Sequence, residues 1–568
     1  MNNSLTMPRD VINDEASVVE PLESLPPRQK MIAVFSLSSC TFLIAIETTM
    51  TAIISPEIRK QFGADLDAGF AIATIYLLGA ATFQPVWAEL SHALGRKSIL
   101  MAGLLIYIAG SIIAVNCRSL TPLYVARALQ GVGGAAPTAI PSMVLADMFP
   151  LTKRTVWQQV LNLLWAVGSI LGPVIGGFIL NESNDRWRYA LWLEFGLAIL
   201  SLIAVGFGLN SNWPKGRVMR ALRKVDWIGI LLTIPTILLC FFPLTCGGSL
   251  FQWHEWPIIT SLLVGYMVFI PLLICHQRFW RINPMFRKEL FRNRTLVTGF
   301  VGALASGSLL WMLLMYLTFF YKYVRKLPAI WVAIYVLPET LTFVPTLLMA
   351  AFVIKRYKKY RWANIAGWSM TTLGFGLLQL LKRIQADAET VAINAVTGIG
   401  LGILFAGLIP TIQAAVDPRF KAHATSMTIL MRSAGQALGV AIGGTILTCH
   451  LKPSVELFGL GDPLDIVDGL DPGGGDFPSG LGEGTRMKIT ESLEYSLKPV
   501  WIFGCVVAGV MAVAMGSLRV APLSDDPVHE CEGHVSTIEG VVDEGGKDTG
   551  VWVLPRFPFD DGRSFMTV

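Results

Sequence analysis

The sequence predicts an all-α polytopic membrane protein, and its composition carries that prediction. Of the 568 residues, 53% are hydrophobic and only 15% are charged, whereas a typical soluble domain is about 25% charged. Apolar runs of about 18–25 residues recur along most of the chain, and each is long enough to cross about 30 Å of hydrocarbon as a helix. The mean hydropathy of +0.56 agrees with this pattern. The chain therefore lacks the charge density that a water-facing surface needs.

Fourteen apolar segments are predicted to cross the membrane as helices. They lie near 31–54, 68–88, 98–115, 122–148, 156–180, 190–209, 225–246, 256–275, 297–319, 329–352, 361–380, 389–414, 424–448 and 499–517. Several contain glycine or proline, which membrane helices tolerate because neighbouring helices satisfy the freed backbone groups.

The distribution of lysine and arginine predicts a cytoplasmic N-terminus. Cytoplasmic loops carry an excess of these residues, and this orientation places GRKS, LTKRT, PKGRVMRALRKVD, FRKELFRNRT and KRYKKYR in the cytoplasm. The basic stretch YKYVRKLP is an exception, since it falls on the outer side. We expect cytoplasmic tails at 1–30 and 519–568 and a long outer loop at 449–498, where Gly, Pro and Asp favour turns. On the outer side, Asn181 begins a glycosylation sequon that lies almost against the membrane.

Two helices contain nearly the same small-residue pattern. Span five contains LGPVIGG (171–177) and span thirteen contains LGVAIGG (438–444). Two independent packing faces would produce this pattern, because glycine lets membrane helices approach closely. Two related halves around a midplane site, which many secondary transporters have, would produce it as well.

Four stretches together resemble one family. They are IETTMTAIISPEI in span one, AELSHALGRKSIL between spans two and three, RALQGVGGAA in span four and GSILGPVIGG in span five. The chain resembles the major facilitator superfamily, specifically its fourteen-helix drug:proton antiporter branch and fungal members that export toxins, drugs or secondary metabolites. The resemblance covers roughly residues 30–450 and the last helix. It implies the major facilitator fold, with six-helix bundles at 31–209 and 276–518 and two additional helices within 210–275.

The chain departs from the family pattern at three positions. After span two the family usually has glycine where this chain has Ala88, and aspartate where it has His92. In span one the family usually has aspartate, and here the residue is Glu47. Histidine can replace the hydrogen bonds of aspartate, and glutamate keeps the carboxylate.

Intramembrane ionisable residues are the main functional candidates, because their burial in a bilayer is costly. Glu47 is either a proton carrier that faces the cavity or a structural acid bonded to Thr48 or Thr49. Arg127 stays charged, so it must face polar partners or water. The resemblance implies a role in proton transfer, and a structural ion pair near the surface is the alternative. Gln130 shares the face of Arg127 and is a candidate for orienting water or substrate in the cavity.

The resemblance assigns two further motifs. The cytoplasmic gate motif consists of His92, Gly95, Arg96 and Lys97. A turn followed by topological anchors would also explain these residues. The antiporter motif consists of Gly168, Gly172, Pro173, Gly176 and Gly177. It would kink and pack span five and hinder passive leak.

Two further acids, Glu194 and Glu339, lie between apolar residues, and Glu339 is the stronger candidate because it lies well inside span ten. Glu339 is a candidate for a second proton site or for a contact with a cationic substrate. Tyr316 and Phe320 share a helical face and are candidates for lining the substrate cavity, although aromatic residues in spans more often face lipid.

The sequence contains no phosphate-binding loop, zinc-protease or serine-hydrolase motif, and no pore-loop sequence. We therefore expect neither an enzyme nor a channel, and no cofactor or metal. The expected function is proton-coupled export of small organic molecules by alternating access. Transport of basic amino acids or iron chelates, or a non-transporting sensor, are alternatives. We expect a monomer in the plasma membrane, or alternatively the vacuolar membrane, with protons and a small-molecule substrate as partners and no nucleic acid.

Overall fold

The computed structural model describes residues 26–63, 66–149, 151–180, 186–209, 222–223, 225–246, 254–280, 289–357, 360–416, 420–457 and 483–517. These residues are almost entirely helical, and no β-strand occurs among them. The long helices are α1 (Pro27–Gln61), α2 (Leu66–Leu94), α3 (Arg96–Asn116), α4 (Leu120–Met148), α5 (Leu151–Leu180), α6 (Trp187–Gly208), α7 (Trp227–Cys246), α8 (Trp256–Leu263, continued by Val264–Phe269, Ile270–Cys275 and His276–Trp280), α9 (Arg294–Phe319, continued by Phe320–Val324), α10 (Ala329–Tyr357), α11 (Tyr360–Leu378), α12 (Asp387–Ala414), α13 (Lys421–Leu457) and α14 (Glu483–Ser517).

Apolar composition explains why these segments are helices that cross a membrane. Within the described part of the chain, twelve helices are long and apolar enough to span a bilayer. The helices α4 and α11 are not among them, because glycine and polar residues lower their hydropathy. The predicted all-α fold is confirmed, and the total of fourteen spans stays a prediction.

The helices pack as two bundles, α1–α6 and α9–α14. In the first bundle α1 packs against α5 and α6, while α4 packs against α2 and α3. In the second bundle α9 packs against α13, α12 packs against α10 and α11, and α11 packs against α14. The two bundles meet mainly where α5 contacts α10 and where α2 contacts α13.

The repeated glycine pattern has the same packing role in both bundles. A Cβ atom at Gly172 of α5 would lie 3.0 Å from the Ile46 carbonyl oxygen and 3.1 Å from the Met50 nitrogen of α1. A Cβ atom at Gly439 of α13 would overlap the backbone of Ser308 in α9. The pairs α1–α5 and α9–α13 therefore approach closely because these positions have no side chain.

The helices α7 and α8 pack against each other, and α7 also contacts α2 and α13, so it lies along the seam between the bundles. Asp226 links α7 to α8. Its Oδ1 lies 2.9 Å from His276 Nε2 and accepts a 2.9 Å hydrogen bond from the Gly229 N–H, and its Oδ2 accepts a 3.0 Å hydrogen bond from Gln277 Nε2. Burial raises the pKa of Asp226, but these hydrogen bonds outweigh burial and hold the pKa below its ordinary value.

Helices continue further than their apolar cores, which changes one predicted boundary. The predicted outer loop 449–498 is too wide, because α13 extends into its beginning and α14 starts at Glu483. The first turns of α14 are amphipathic, with Ile489, Leu493 and Leu497 buried at a spacing of four residues. The rest of that loop, the sequon at Asn181 and the predicted tails, apart from 26–30, lie outside the described residues.

Candidate functional site

An ion pair buried inside the first bundle joins two of the predicted residues. Arg127 Nη2 on α4 donates a 2.6 Å hydrogen bond to Glu47 Oε1 on α1, and the two side chains are 2% and 0% exposed. Arg127 Nη2 also donates to Thr51 Oγ1 at 3.1 Å. Thr48 and Thr49 hydrogen-bond to backbone carbonyls of α1 instead. The alternative in which Glu47 bonds to Thr48 or Thr49 is therefore wrong, and so is the alternative of a near-surface ion pair for Arg127.

Further polar groups hold the guanidinium of Arg127 in place. Its Nε donates to the Ile72 carbonyl at 3.2 Å and its Nη1 donates to Gln130 Oε1 at 3.0 Å. Gln130 Nε2 in turn donates to Ser111 Oγ on α3 at 3.0 Å. The guanidinium carbon lies 5.0 Å from the ring centre of Tyr76 on α2, which is a cation–π distance. Gln130 therefore orients Arg127 in this structure.

A second carboxylate belongs to the same cluster. Glu194 on α6 is fully buried, and neither of its oxygens has a hydrogen-bond partner. It interacts electrostatically with Glu47 and Arg127, and Gln130 also faces it. We call Glu47, Arg127 and Glu194 the charge cluster.

A central cavity lies between the bundles beside the charge cluster. Its volume is about 80 Å³. Its lining residues are Thr41, Ile44, Thr48, Tyr76, Leu77, Ala80, Gln84, Pro137, Thr138, Trp165, Trp311, Ser433 and Gln436. Tyr76 lines the cavity and also contacts Arg127 of the charge cluster. Since sites for drug-sized ligands occupy about 300–1,000 Å³, the bundles must separate before such a ligand fits.

An aromatic wall bounds this cavity where α5 meets the second bundle. The ring of Trp165 lies 6.2 Å from Trp311, 6.0 Å from Phe343 and 5.6 Å from Phe405, between ring centres. The guanidinium carbon of Arg432 lies 4.0 Å from the ring centre of Phe405 in this wall, and its Nε and Nη2 atoms have no hydrogen-bond partner. The wall offers stacking surfaces with a positive charge next to one of them.

The three residues predicted for the cavity lie elsewhere in this structure. Gln130 belongs to the Arg127 network. Tyr316 is fully buried, and its hydroxyl donates a 2.5 Å hydrogen bond to the Val440 carbonyl. Phe320 is buried beside Tyr321. Because α9 is buried on nearly all sides, a shared helical face did not predict which of its aromatic residues reach the cavity.

Charged residues join the bundles at the end where α1 ends, which we call the outer end because the sequence places it outside the cytoplasm. Lys322 Nζ, at the end of α9, donates a 2.9 Å hydrogen bond to Glu57 Oε1, and their side chains are 6% and 5% exposed. Next to this pair, Arg59 Nη2 donates to the Tyr323 hydroxyl at 3.5 Å. The Glu57–Lys322 pair thus joins the two bundles at the outer end.

The predicted gate motif lies at the opposite, inner end. Gly95 has a φ of +89°, which favours glycine, and it starts α3 after a sharp turn. Arg96 Nε lies 3.0 Å from Asp147 Oδ2, and Arg96 Nη2 lies 3.2 Å from His92 Nδ1. Lys97 Nζ donates to the Gly206 carbonyl at 2.6 Å. These bonds of Arg96 and Lys97 stay within the first bundle.

His92 is the gate residue that reaches the second bundle. Its ring stacks on that of His423 in α13, with ring centres 5.7 Å apart and planes 9° apart. The histidine that replaces the family's aspartate thus bonds to Arg96 and also stacks across the interface.

The antiporter motif packs α5 on two partners. Cβ atoms at Gly168, Gly172 and Gly176 would contact α1, while a Cβ atom at Gly177 would lie 2.9 Å from the Ala329 carbonyl oxygen at the start of α10. Pro173, between them, is buried. The motif therefore brings α5 close to its own bundle and, at the outer end, to the other one.

Glu339 lies apart from these groups, in the second bundle. Its side chain is 1% exposed, and its Oε2 has no hydrogen-bond partner. No group of three or more His, Cys, Asp or Glu side chains suited to a metal occurs among the residues that the structure describes.

Sequence reasoning missed several residues of the site. Tyr76, Trp165 and Arg432 were not candidates, and Glu194 was ranked below Glu339. An acid, an arginine and bulky aromatic residues inside apolar spans were visible signals, but their meeting depends on how the helices rotate against one another.

The comparisons with known proteins agree with this fold. The family model described as Major Facilitator Superfamily matches residues 37–440. The chain is 31% identical to "MFS transporter L2" of Phoma sp. over 89% of this chain and 85% of the relative. It is 26% identical to "Efflux pump FUS6" of Gibberella fujikuroi (73% and 75% covered) and 27% identical to an "Acurin A biosynthesis cluster MFS-type transporter" of Aspergillus aculeatus (75% and 76% covered).

A solved structure supports the same conclusion at the level of the fold. It is a bacterial homolog of the human lysosomal transporter Spinster, in an inward-facing and occupied conformation. The TM-score is 0.58 at 17% identity, and the match covers 88% of this chain and all of the other. With a family model that matches most of its length and a relative above 30% identity, this chain belongs to the major facilitator superfamily.

Proposed function

We propose that the chain is a proton-coupled antiporter that exports small organic molecules by alternating access. The observation that carries the proposal is the buried Glu47–Arg127 ion pair, whose guanidinium contacts the ring of Tyr76, a residue that also lines the central cavity. A change in the charge of this pair would alter the cation–π contact and with it the cavity wall. Coupling requires that proton and substrate each prefer one of the two states.

The names of the relatives support export as the direction. Two of the three relatives carry the words efflux pump or biosynthesis cluster in their names. The aromatic wall around Trp165 suits flat, apolar organic molecules, which stack on aromatic rings. We place the protein in the plasma membrane, with the vacuolar membrane as the alternative, and we expect it to act as a monomer.

The charge of Arg432 bears on the alternative substrate class, the basic amino acids. A basic amino acid in the cavity would place its own positive charge near this buried guanidinium, and like charges repel strongly where water is scarce. Organic molecules that are neutral or rich in hydrogen-bond acceptors fit the cavity better. A screen of toxic compounds in cells that lack or express the protein would identify the class.

We further propose that the inner and outer contacts are the two gates. The His92–His423 stack and the turn at Gly95 would close the inner end, and the Glu57–Lys322 pair would close the outer end. Since the central cavity has contacts between the bundles on both sides, substrate entry requires one of these contacts to break.

The test compares two variants of Glu47 in inverted membrane vesicles with an imposed proton gradient, using a compound found in the screen. Glu47→Gln keeps the size and hydrogen-bonding capacity of the side chain but removes titration. It should exchange substrate down its own gradient and fail to accumulate it. Glu47→Asp should keep accumulation, with a shifted pH optimum. Replacement of the exposed Glu491 by Gln is the matched control and should change neither activity.

Two outcomes count against the proposal. If vesicles with the parent protein show no proton-driven flux of any compound from the screen, the protein is a sensor or uses another driving ion. If Glu47→Gln accumulates substrate as the parent does, Glu47 is not the coupling acid, and Glu339 is the next residue to replace.

A further inference from the structure

The charges of the charge cluster do not balance. Glu47 and Glu194 contribute two carboxyl groups and Arg127 contributes one guanidinium, so the cluster would carry a net charge of about −1 if every group were ionised. All three side chains are at most 2% exposed. An uncompensated buried charge costs several kcal/mol, and protonation of one carboxyl group removes that cost.

The surroundings of Glu194 offer no other compensating cation. The titratable and charged groups that face Glu194 are Glu47 on α1, Tyr76 on α2, Tyr107 on α3 and Arg127 on α4. The helix α5 also packs against α6, but its charged residues occur only in its first turn. Among the described groups that face Glu194, Arg127 is therefore the single positive charge.

Hydrogen bonding distinguishes the two carboxyl groups. Glu47 Oε1 accepts a 2.6 Å hydrogen bond from Arg127 Nη2 and lies 3.5 Å from the Thr51 hydroxyl. Glu47 Oε2 and both oxygens of Glu194 have no hydrogen-bond partner, and Gln130 is the polar side chain that faces Glu194. A carboxylate needs donors, whereas a neutral acid without donors is buried at a much lower cost. The ionised group is thus the one that Arg127 contacts.

We propose that Glu194 holds one proton while Glu47 is paired with Arg127, and that these two acids together form the proton site of the transport cycle. The second half of this inference rests on the proposed function. When water enters the cluster, the proton leaves Glu194 to a water molecule. The new carboxylate then competes with Glu47 for Arg127, and the guanidinium moves relative to the ring of Tyr76 in the cavity wall.

Infrared difference spectroscopy of the purified full-length protein tests the assignment without any ligand. The carbonyl stretch of a protonated carboxylic acid is separate from the bands of a carboxylate and shifts in D₂O. The parent should show this band, and Glu194→Gln should lose it. Glu47→Gln should lose it too, because Glu194 then ionises to neutralise Arg127, and this same compensation should keep the variant folded. Replacement of Glu491 by Gln is the control and should leave the band unchanged.

Aspartate variants identify which acid carries the proton. Glu194→Asp should shift the band, because the protonated group itself has changed, whereas Glu47→Asp should leave the band in place. A band that persists in Glu194→Gln, or that moves in Glu47→Asp and not in Glu194→Asp, would overturn the assignment. Signals from Glu339 cancel in these differences because every variant contains it.

Transport measurements test the coupling role separately. Glu194→Gln should lose proton-driven accumulation and the pH dependence of flux while it retains exchange down a substrate gradient. If Glu194→Gln accumulates substrate with the pH profile of the parent, Glu194 is not part of the proton site. If the parent itself shows no proton-driven flux, the proposed function fails, and the infrared result still decides whether Glu194 holds a proton.

Discussion

The Glu57–Lys322 pair allows a quantitative prediction about the outer gate. Lys322→Ala leaves the Glu57 carboxylate buried between the bundles without its cation. Removing one partner of a buried ion pair costs about 3–5 kcal/mol, because the remaining charge is left unpaired. When the outer end opens, Glu57 returns to water, so this cost falls on the closed state alone. At about 1.4 kcal/mol per factor of ten, a cost of about 3 kcal/mol shifts the equilibrium towards the outward-open state roughly a hundredfold.

Thiol labelling from outside the cell measures this shift. Ser55 is 6% exposed and lines a small pocket beside Arg59 and Phe70 at the outer end. In Ser55→Cys, a membrane-impermeant maleimide reaches the thiol only when the outer end is open. Lys322→Ala should raise the labelling rate at least about tenfold over Ser55→Cys alone. The chain without the added cysteine corrects for its eight native cysteines.

A double variant separates the ionic effect from a loss of packing. Glu57→Gln combined with Lys322→Met replaces both charges by neutral side chains of similar size, and such exchanges are often nearly neutral in energy. The labelling rate should return to within about threefold of the rate of Ser55→Cys alone. A threefold difference in rate corresponds to less than about 0.7 kcal/mol. If Lys322→Ala labels at the reference rate, the pair does not hold the outer end closed. If the double variant labels as fast as Lys322→Ala, packing rather than charge is responsible.

Two further predictions concern helix contacts. Gly177→Ala should increase the labelling of Ser55→Cys, because its Cβ atom would lie 2.9–3.1 Å from atoms of α10 and overpacking costs about 1–3 kcal/mol. Gly196→Ala is the control, since a Cβ atom there has nothing within 4 Å. Equal labelling of the two variants would contradict this account. Asp226→Asn should lower the Tm of the purified protein above the ordinary carboxyl pKa of about 3.9. Because the folded pKa of Asp226 is lowered, its contribution is present above the unfolded value and is lost as the pH falls through the folded value, so the Tm difference should close in acid. A Tm difference that does not depend on pH would contradict that role.

Much of the fold was predictable because a bilayer imposes a strong and simple constraint. Apolar length alone located the helices, since each crossing needs about 20 apolar residues. The helix ends were less predictable, because a helix that has formed can continue beyond the bilayer by adding further hydrogen-bonded turns. The first turns of α14 show this, where Leu493 and Leu497 are buried by packing rather than by lipid.

The candidate site was predictable only in part, because its chemistry depends on helix rotation. Glu47 and Arg127 were identified as separate intramembrane charges, and their pairing follows from the packing of α1 and α4 in the first bundle. Glu194 and Glu339 both lie between apolar residues in the sequence, and the sequence favoured Glu339. Glu194 faces Arg127 and Glu339 does not, which depends on the orientation of α6 and α10 and not on the local sequence.

The basic stretch on the outer side illustrates the same limit. YKYVRKLP contradicted the expected excess of positive charge in the cytoplasm. The structure supplies a reason, because Lys322 is neutralised by Glu57 and the Arg325 guanidinium lies 5.6–5.8 Å from the ring centres of three aromatic residues. Contacts within the protein thus account for both of these charges. An exception to a distribution rule therefore marked a contact between the bundles.

The arrangement of α1 connects the proposed proton site with the outer gate. Glu47 and Glu57 are ten residues apart on this helix, which corresponds to about 15 Å along its axis. The first pairs with Arg127 inside the bundle, and the second pairs with Lys322 in the other bundle. Backbone hydrogen bonds resist local deformation and so transmit a shift along a helix; between Glu47 and Glu57 they continue except at Pro56, which lacks the N–H donor. If Glu194 replaced Glu47 as the partner of Arg127, α1 would thus shift near Glu47, and the shift would strain the Glu57–Lys322 contact. In this view the proton does not need to reach the gate, because α1 carries the effect there.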